Sequence, residues 1–447
     1  MSVRTNRRPS LSKPRRFGVC LGFSLVFVLT GPLPSGAQAP APGASGSTSA
    51  SGAPPPGSSA GSPAADAVRP ELGKPLQAVQ ELLKANKGQE ALARLRDVEN
   101  LVPPANRSPY ESYIIERLRG SAASMVGDAE LAAKSFEAVI SSGRLAVADK
   151  LKVTEAVAGN FYRAKNFAKA ADWYARYFKE GGSEANTRQL WIQSMFQAGD
   201  LDGAARELLG EIQGAEKLGK APPEERLQFL AGIYQRKKDA AGYAAMVDKL
   251  LAYYPKKEYW AEALYRATSR PGFPDRLSMD LGRLKLATGN LRTAAEYFEY
   301  AQMALAAGFS LEANRFLEQG FSTNQLGVGD EGDRHRRLRA LVLKSVEEDL
   351  KALPTLKQEA AAGKDGNAMI NVGYSVVLSG KHDEGLKLME RGLAQKAIKR
   401  PEDARLLYGS ALLFAGQREK ARTTFSGVQG EGVSDLARLW ALHALAR

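Results

Sequence analysis

Ala158-Gly159-Asn160-Phe161-Tyr162-Arg163-Ala164-Lys165-Asn166-Phe167-Ala168-Lys169-Ala170-Ala171-Asp172-Trp173-Tyr174 decides the fold once it is laid over the residues 34 positions further on. Ala158, Phe161, Phe167, Ala170 and Tyr174 then fall on Ile192, Met195, Leu201, Ala204 and Leu208. A small residue, a bulky one, then alanine and a larger residue four further on, repeated at this period, marks a helix–turn–helix unit copied along the chain. Two antiparallel helices approach to about 8–10 Å only where small side chains sit at the crossing. The larger residue fills the space between one pair and the next. The spacing therefore predicts an all-α chain, a right-handed α-solenoid of roughly eight or nine helix pairs, whose usual work is to hold other molecules.

Moving outward, the same marker recurs at Ala91, Ala132, Ala170, Ala204, Tyr243, Ala294, Gly385 and Ala421. Four residues after each stands Leu95, Phe136, Tyr174, Leu208, Val247, Phe298, Met389 or Phe425. The gaps are 41, 38, 34, 39, 51, 91 and 36 residues, so most units carry insertions. Turn glycines precede many of them, at Gly127, Gly199, Gly289, Gly380 and Gly416, where a left-handed residue ends the first helix. Pro103-Pro104, Pro255 and Pro401 fall between units, where a missing N–H costs no helical bond. This is the pattern of tetratricopeptide repeats. The longest gap holds a further pair, 291–307 with 309–321, around Ala313. A charged helix follows from Leu338 to Ala361, broken or kinked near Pro354. The expected organisation is a repeat array over 68–325, a segment over 326–363 that is either a divergent repeat or a spacer, and a C-terminal repeat pair and cap over 364–447.

The chain of 447 residues is 44% hydrophobic and 25% charged, which suits a globular protein. Its first 39 residues read as an address. Arg4, Arg7, Arg8, Lys13, Arg15 and Arg16 precede the apolar run Phe17–Leu29, which Pro32 and Pro34 break. Ser35-Gly36-Ala37-Gln38-Ala39 then offers cleavage after Ala37 or Ala39, the layout of a secretory signal peptide. The apolar run is too short for a comfortable membrane span. Two Arg pairs allow twin-arginine export, but the residue spacing fits ordinary export of an unfolded chain better. Residues 40–67 are almost wholly Ala, Pro, Gly, Ser and Thr, and this composition predicts a disordered linker. Cys20, inside the apolar run, is the only cysteine, so the exported chain has neither disulfide nor thiolate nucleophile. The formal charge is +13, six of it in residues 1–39. An exported chain does not meet nucleic acid, and the remaining excess biases it toward acidic partners or anionic surfaces. The expected location is the periplasm, with no membrane span left after cleavage.

Tyr254-Pro255-Lys256-Lys257-Glu258-Tyr259-Trp260 resembles a segment of periplasmic tetratricopeptide proteins encoded beside TonB–ExbB–ExbD energy-transduction genes. Asp365-Gly366-Asn367-Ala368, Lys399-Arg400-Pro401-Glu402-Asp403-Ala404, Val428-Gln429-Gly430 and Asp435-Leu436-Ala437-Arg438-Leu439-Trp440 are similar to stretches of an exported proteobacterial repeat-protein family. The resemblance covers about residues 75–447. It implies a periplasmic scaffold, accessory to envelope transport and partnered by inner-membrane transport components. It carries no catalytic residues across.

Motifs for chemistry are weak. Gly327-Val328-Gly329-Asp330-Glu331-Gly332 spells a dinucleotide fingerprint, but no strand precedes it and its acids would repel phosphate. It reads as a loop with Asp333 capping the next helix. The basic run Arg334-His335-Arg336-Arg337-Leu338-Arg339 could meet anionic headgroups or an acidic peptide; Asp330, Glu331 and Asp333 beside it favour a solvated helix face. His335, His382 and His443 are far apart, with no metal-ligand spacing, and His382 takes the packing place of Phe167 and Leu201. No nucleophile elbow appears. Neither enzyme activity, metal nor cofactor is expected.

Candidates for binding come from the first helix of each pair, which lines the concave side in such superhelices. They are Lys152, Glu155, Tyr162 and Arg163, then Asn186, Gln189, Gln193 and Gln197, then Gln228, Gln235 and Arg236. Amide side chains pair with both N–H and C=O of an extended peptide. An ordinary solvated helix face would present the same residues. The expected function is a scaffold that holds a peptide or protein partner in a groove. The alternative is a polysaccharide or cell-wall polymer-binding accessory of an export system, which would need aromatic rings along that groove.

Overall fold

The computed structural model describes residues 67–269, 273–395 and 398–445. The expected signal segment, with Cys20 and both cleavage positions, lies outside them, as does the expected linker except for its last residue. Among the described residues there are twenty α-helices and no strand. No described helix is long and apolar enough to cross a membrane. The chain divides into two compact units between Asp200 and Leu201.

The first unit contains α1 (Pro70–Lys84), α2 (Gly88–Leu101), α3 (Pro109–Val126), α4 (Ala129–Ser141), α5 (Val147–Arg163), α6 (Phe167–Lys179) and α7 (Ala185–Ala198). Consecutive helices form the principal contacts, with α1 also meeting α3 and α5 meeting α7. The helix starts are written in the sequence. Asp128 and Asn166 accept from the N–H three residues on, capping α4 and α6. Ser108 and Glu111 form a reciprocal capping box at α3.

Each short turn uses one device. A residue one or two positions past the first helix takes positive φ, and the N–H beyond it bonds to the carbonyl five residues back. Lys87 to Leu82, Asp128 to Ala123 and Asn166 to Phe161 do this in the first unit. Gly127 supplies the left-handed residue as expected, but Asn86 and Lys165 supply it in the other two turns.

The second unit contains α8 (Leu201–Lys217), α9 (Glu224–Arg236), α10 (Ala240–Tyr253), α11 (Lys257–Thr268), α12 (Ser278–Ala287), α13 (Ala294–Ala306), α14 (Ser310–Ser322) and α15 (Gly332–Ala362). It continues with α16 (Gly366–Leu378), α17 (His382–Leu393), α18 (Pro401–Phe414), α19 (Arg418–Ser426) and α20 (Val433–Leu445). The pairs α9–α10, α13–α14, α16–α17 and α18–α19 pack as hairpins. The last helix, α20, packs on α18 and α19 and also on α10, α11 and α12, so this unit closes on itself.

The small residues work as crossing points. Alanines 91, 132, 170, 204 and 421 are fully buried. A Cβ on Gly120 would strike the Phe136 ring at 2.8 Å, and one on Gly409 the Phe425 ring at 2.3 Å. The closest crossing is α16 on α17. There Gly366 faces Gly392 and Gly373 faces Gly385, so backbone meets backbone; a Cβ on Gly385 would lie 2.5 Å from the Gly373 carbonyl oxygen.

Three expectations are corrected. Ala294 is not a buried crossing residue: it opens α13 and is half-buried, and the ring over Gly282 of α12 is Tyr300, six residues later. Leu291 and Thr293 are not helical, so α13 starts late and its contact moves down the helix. Of the two alternatives at Pro354, a break or a kink, the break does not occur: α15 runs through it for 31 residues, packed on α14 and α16. Asp333 does not cap that helix. Glu331 occupies the cap position without a side-chain bond, and Asp333 pairs instead with Arg336 one turn on.

Candidate functional site

In the first unit the odd-numbered helices stand side by side and bond to one another. Asn160 of α5 donates to the Ser124 hydroxyl of α3 at 2.6 Å. The Thr187 hydroxyl of α7 donates to the Glu155 carboxylate of α5. Of the expected binding residues, four sit on α5. Lys152 is exposed and pairs with Asp149 at 3.1 Å. Glu155 is half-buried and already committed to Thr187. Tyr162 is half-buried, edge-on to Phe167 with centroids 5.5 Å apart, and burial raises its phenol pKa. Arg163 is exposed and donates to the Asn160 amide oxygen, so it braces the α3–α5 link.

The four on α7 differ. Asn186, Gln189 and Gln197 are exposed and Gln193 is half-buried. Gln189, Gln193 and Gln197 follow one another at four-residue steps, which stacks them along one line of the helix. Among the described residues, no side chain hydrogen-bonds to these three amides. They are held in place from behind by Thr187, Ile192, Ser194 and Met195, all buried.

The remaining three expected residues lie on α9 of the second unit. Gln228 donates to the Tyr259 hydroxyl of α11 at 2.5 Å. Tyr259 and Lys256 both donate to Glu224. Burial alone would raise the Glu224 pKa, but these two bonds outweigh it and hold it below the usual carboxylate range. Gln228 is thus part of a brace between α9 and α11. Gln235 and Arg236 are exposed at the end of α9.

A cluster that the sequence reading missed lies inside the second unit. Arg283 of α12 makes a two-bond fork with Glu312 of α14, at 2.8 and 2.7 Å, and a third bond to Asp280 at 2.7 Å. Tyr374 of α16 donates to the same Glu312 at 2.6 Å. The guanidinium also lies over the rings of Tyr374 and Phe309, at 5.2 and 5.7 Å from their centroids. All four polar residues are buried. Burial raises the Asp280 pKa against the pull of Arg283. Burial would lower that of Arg283, but Glu312, Tyr374 and Asp280 more than compensate and raise it. Forked, fully bonded ion pairs of this kind hold three helices in one register.

The remaining motifs have structural settings. Gly327 and Gly329 take positive φ; the Gly327 N–H donates to His335 Nδ1 at 3.2 Å and its carbonyl accepts from Arg336. In the basic run, Arg334, Arg336 and Arg339 pair with Glu331, Asp333 and Glu318. His382 stands edge-on to Phe414, and His443 stands between Trp260 and Trp440. No group of three His, Cys, Asp or Glu residues able to hold a metal occurs among the described residues. A scan against protein-family models found no match, and no curated protein matches the chain.

Proposed function

We propose that the chain is an exported, periplasmic α-solenoid of tetratricopeptide-like helix pairs that holds a protein or peptide partner along the odd-numbered helices of its first unit, as a scaffold accessory to envelope transport. Residues 1–39 would be removed on export, and the reading assigns no chemistry, cofactor or metal to the chain. The helical hairpins, their left-handed turn residues and the buried alanines support the repeat reading. The location rests on the sequence of residues 1–39, and the transport setting on the family resemblance.

One observation carries the binding role: Gln189, Gln193 and Gln197 stand in line on α7 and, among the described residues, no side chain engages their amides. An amide offers a donor and an acceptor to each peptide unit of an extended strand. Leaving three such groups unpaired suits a surface that is completed by another molecule. The polysaccharide-binding alternative needs exposed rings. The one ring among the α5 and α7 candidates, Tyr162, is half-buried against Phe167, which favours the peptide reading.

A photo-crosslinking residue placed at Gln193 in intact cells tests it, with Asp172 on exposed α6 surface as control. The expected outcome is a discrete protein adduct from position 193 and none from 172. Adducts from neither position, or equally from both, would remove the proposal.

A further inference from the structure

Phe309, whose ring carries Arg283, also lines an open cavity of about 120 Å³ between the start of α14, the middle of α15 and α16. Its walls are apolar: Phe309, Leu311, Leu353, Leu356 and Val372. Leu356 and Asn371 line it and are exposed, so it opens to water. A cavity of about 150 Å³ holds one benzene molecule, so this space suits a single unbranched side chain. Three polar groups share it: the Asp349 carboxylate, the Asn371 amide and the Ser375 hydroxyl. Asn371 and Ser375 stand four residues apart, on one line of α16.

Asp349 is half-buried and accepts from the Ser310 hydroxyl in the first turn of α14. Among the described residues no cation pairs with it, and no side chain bonds to Asn371 or Ser375. The basic residues around it in the chain are engaged elsewhere. Lys344 pairs with Glu348, Lys351 with Glu347 and Lys357 with Glu384, and Arg315 lies over the Phe414 ring at 4.4 Å. A carboxylate among apolar walls is costly until a cation meets it. Its charge already sits at the electropositive start of α14, which disfavours a second anion there.

We propose that this cavity receives a lysine side chain of a partner segment, its methylenes against the apolar walls and its ammonium donating to Asp349, Asn371 and Ser375. An ammonium brings three donors to these three acceptors. The two-bond fork of an arginine needs both carboxylate oxygens, and Ser310 holds one of them. The ligand is a chain segment, not a free amine, because Leu350 and Leu356, three residues to either side of Leu353, stay exposed beside the cavity and a small molecule would leave them so. The site lies in the second unit and does not depend on the amide line on α7.

The probe is a blocked alanine pentapeptide with a central lysine, titrated into the full-length exported protein while the methyl resonances of Leu353, Leu356 and Val372 are followed by NMR. The lysine peptide should shift all three at millimolar concentration. Norleucine or glutamate in place of the lysine should weaken binding about tenfold, the worth of a hydrogen bond to a charged group. Asp349→Asn keeps an oxygen for Ser310 and should bind the lysine and norleucine peptides alike. Val372→Phe, which fills the cavity, should bind neither. The peptide comparison in the parent decides the matter even if a variant does not fold. Methyl resonances that do not move, or equal binding of the lysine and norleucine peptides by the parent, would overturn the proposal. A preference for the glutamate peptide would do so too, by showing that the helix start governs the site. So would n-butylammonium binding as tightly as the lysine peptide, because the ligand would then be a free amine.

Discussion

In the first unit helices pack chiefly on their neighbours along the chain, whereas in the second an ion pair joins residues 190 positions apart. The first is assembled from local pieces: a cap, a left-handed turn and a buried alanine, repeated. The second adds closure, with α20 set against α10–α12 and a buried charge cluster tying α12, α14 and α16. Local pieces can loosen one pair at a time, as in a chain of nearest-neighbour units. A closed unit shares each loss among distant helices. Breaking the comparison means finding a local change in the second unit that stays local, or one in the first that spreads.

The largest effect is expected at the charge cluster. Glu312→Gln leaves Arg283 buried without its fork, and removing one member of such a pair costs about 3–5 kcal/mol. Thermal unfolding should show the second unit's transition falling sharply, while hydrogen exchange in α3–α6 stays at the parent's rate. Arg283→Met together with Glu312→Leu should recover much of the loss, because an apolar pair of similar volume avoids the desolvation cost. If Glu312→Gln leaves melting unchanged, the cluster does not hold the unit together.

Next comes the α16–α17 crossing. Gly373→Ala would bring a Cβ to 2.8 Å from the Gly385 carbonyl oxygen, and overpacking of this kind costs about 1–3 kcal/mol. Gly210→Ala, on the exposed face of α8 with open space around it, should do the opposite and add about 1 kcal/mol through helix propensity. Chemical denaturation of both variants reads the sign directly. A stabilising Gly373→Ala would mean the two backbones are not in contact.

These two sites mark the limits of what the sequence disclosed. Ala170, Ala204 and Tyr174 were legible because their spacing repeats, and all three are buried as crossing residues should be. The amides at 189, 193 and 197 come from the repeat register, which makes α7 the first helix of a pair, and the structure leaves Gln189 and Gln197 exposed and Gln193 half-buried. Asp280, Arg283, Glu312 and Tyr374 were not. They lie on three helices, and a charge that meets its partner 29 or 62 positions away leaves no local pattern. Ala294 had the right neighbours in sequence, but the helix begins too late for it to be buried. Lys165 and Lys238 were not legible as turn residues because lysine carries no turn signal, whereas the turn requires only a positive φ.

A smaller effect, and one that depends on pH, lies at the start of the first unit. Glu111 is buried and accepts from the Arg69 guanidinium, at 2.8 and 2.9 Å, and from the Ser108 and Arg69 backbone. The Arg69 bonds above all pull its pKa from 4.5 down to about 2. Its folded pKa lies below its unfolded one, so its stabilisation is present above pH 4.5 and is lost as pH falls toward 2. Hydrogen exchange in α1 should accelerate over that window, before α5 and α6 respond. Glu111→Gln should cost on the order of 1 kcal/mol at pH 7, and the cost should shrink steadily from pH 4.5 down to pH 2. A cost that stays constant over that window would trace the effect to shape instead of charge.

The smallest expected changes are gains, at two matching turns. Lys165 ends α5 with φ of 59° and Lys238 ends α9 with φ of 58°, the place Gly127 or Gly416 fills in other pairs. A left-handed residue with a Cβ is strained, so Lys165→Gly and Lys238→Gly should each stabilise by about 0.5–1 kcal/mol after the entropy cost of glycine. The chemistry of the two changes is the same, and only their setting differs. Lys165→Gly should slow exchange in α5 and α6 alone, because the first unit spreads little. Lys238→Gly tightens α9 on α10, and α10 carries Asp248, so its gain should reach α20 as well. Equal spread in both variants would show that closure confers no extra coupling on the second unit.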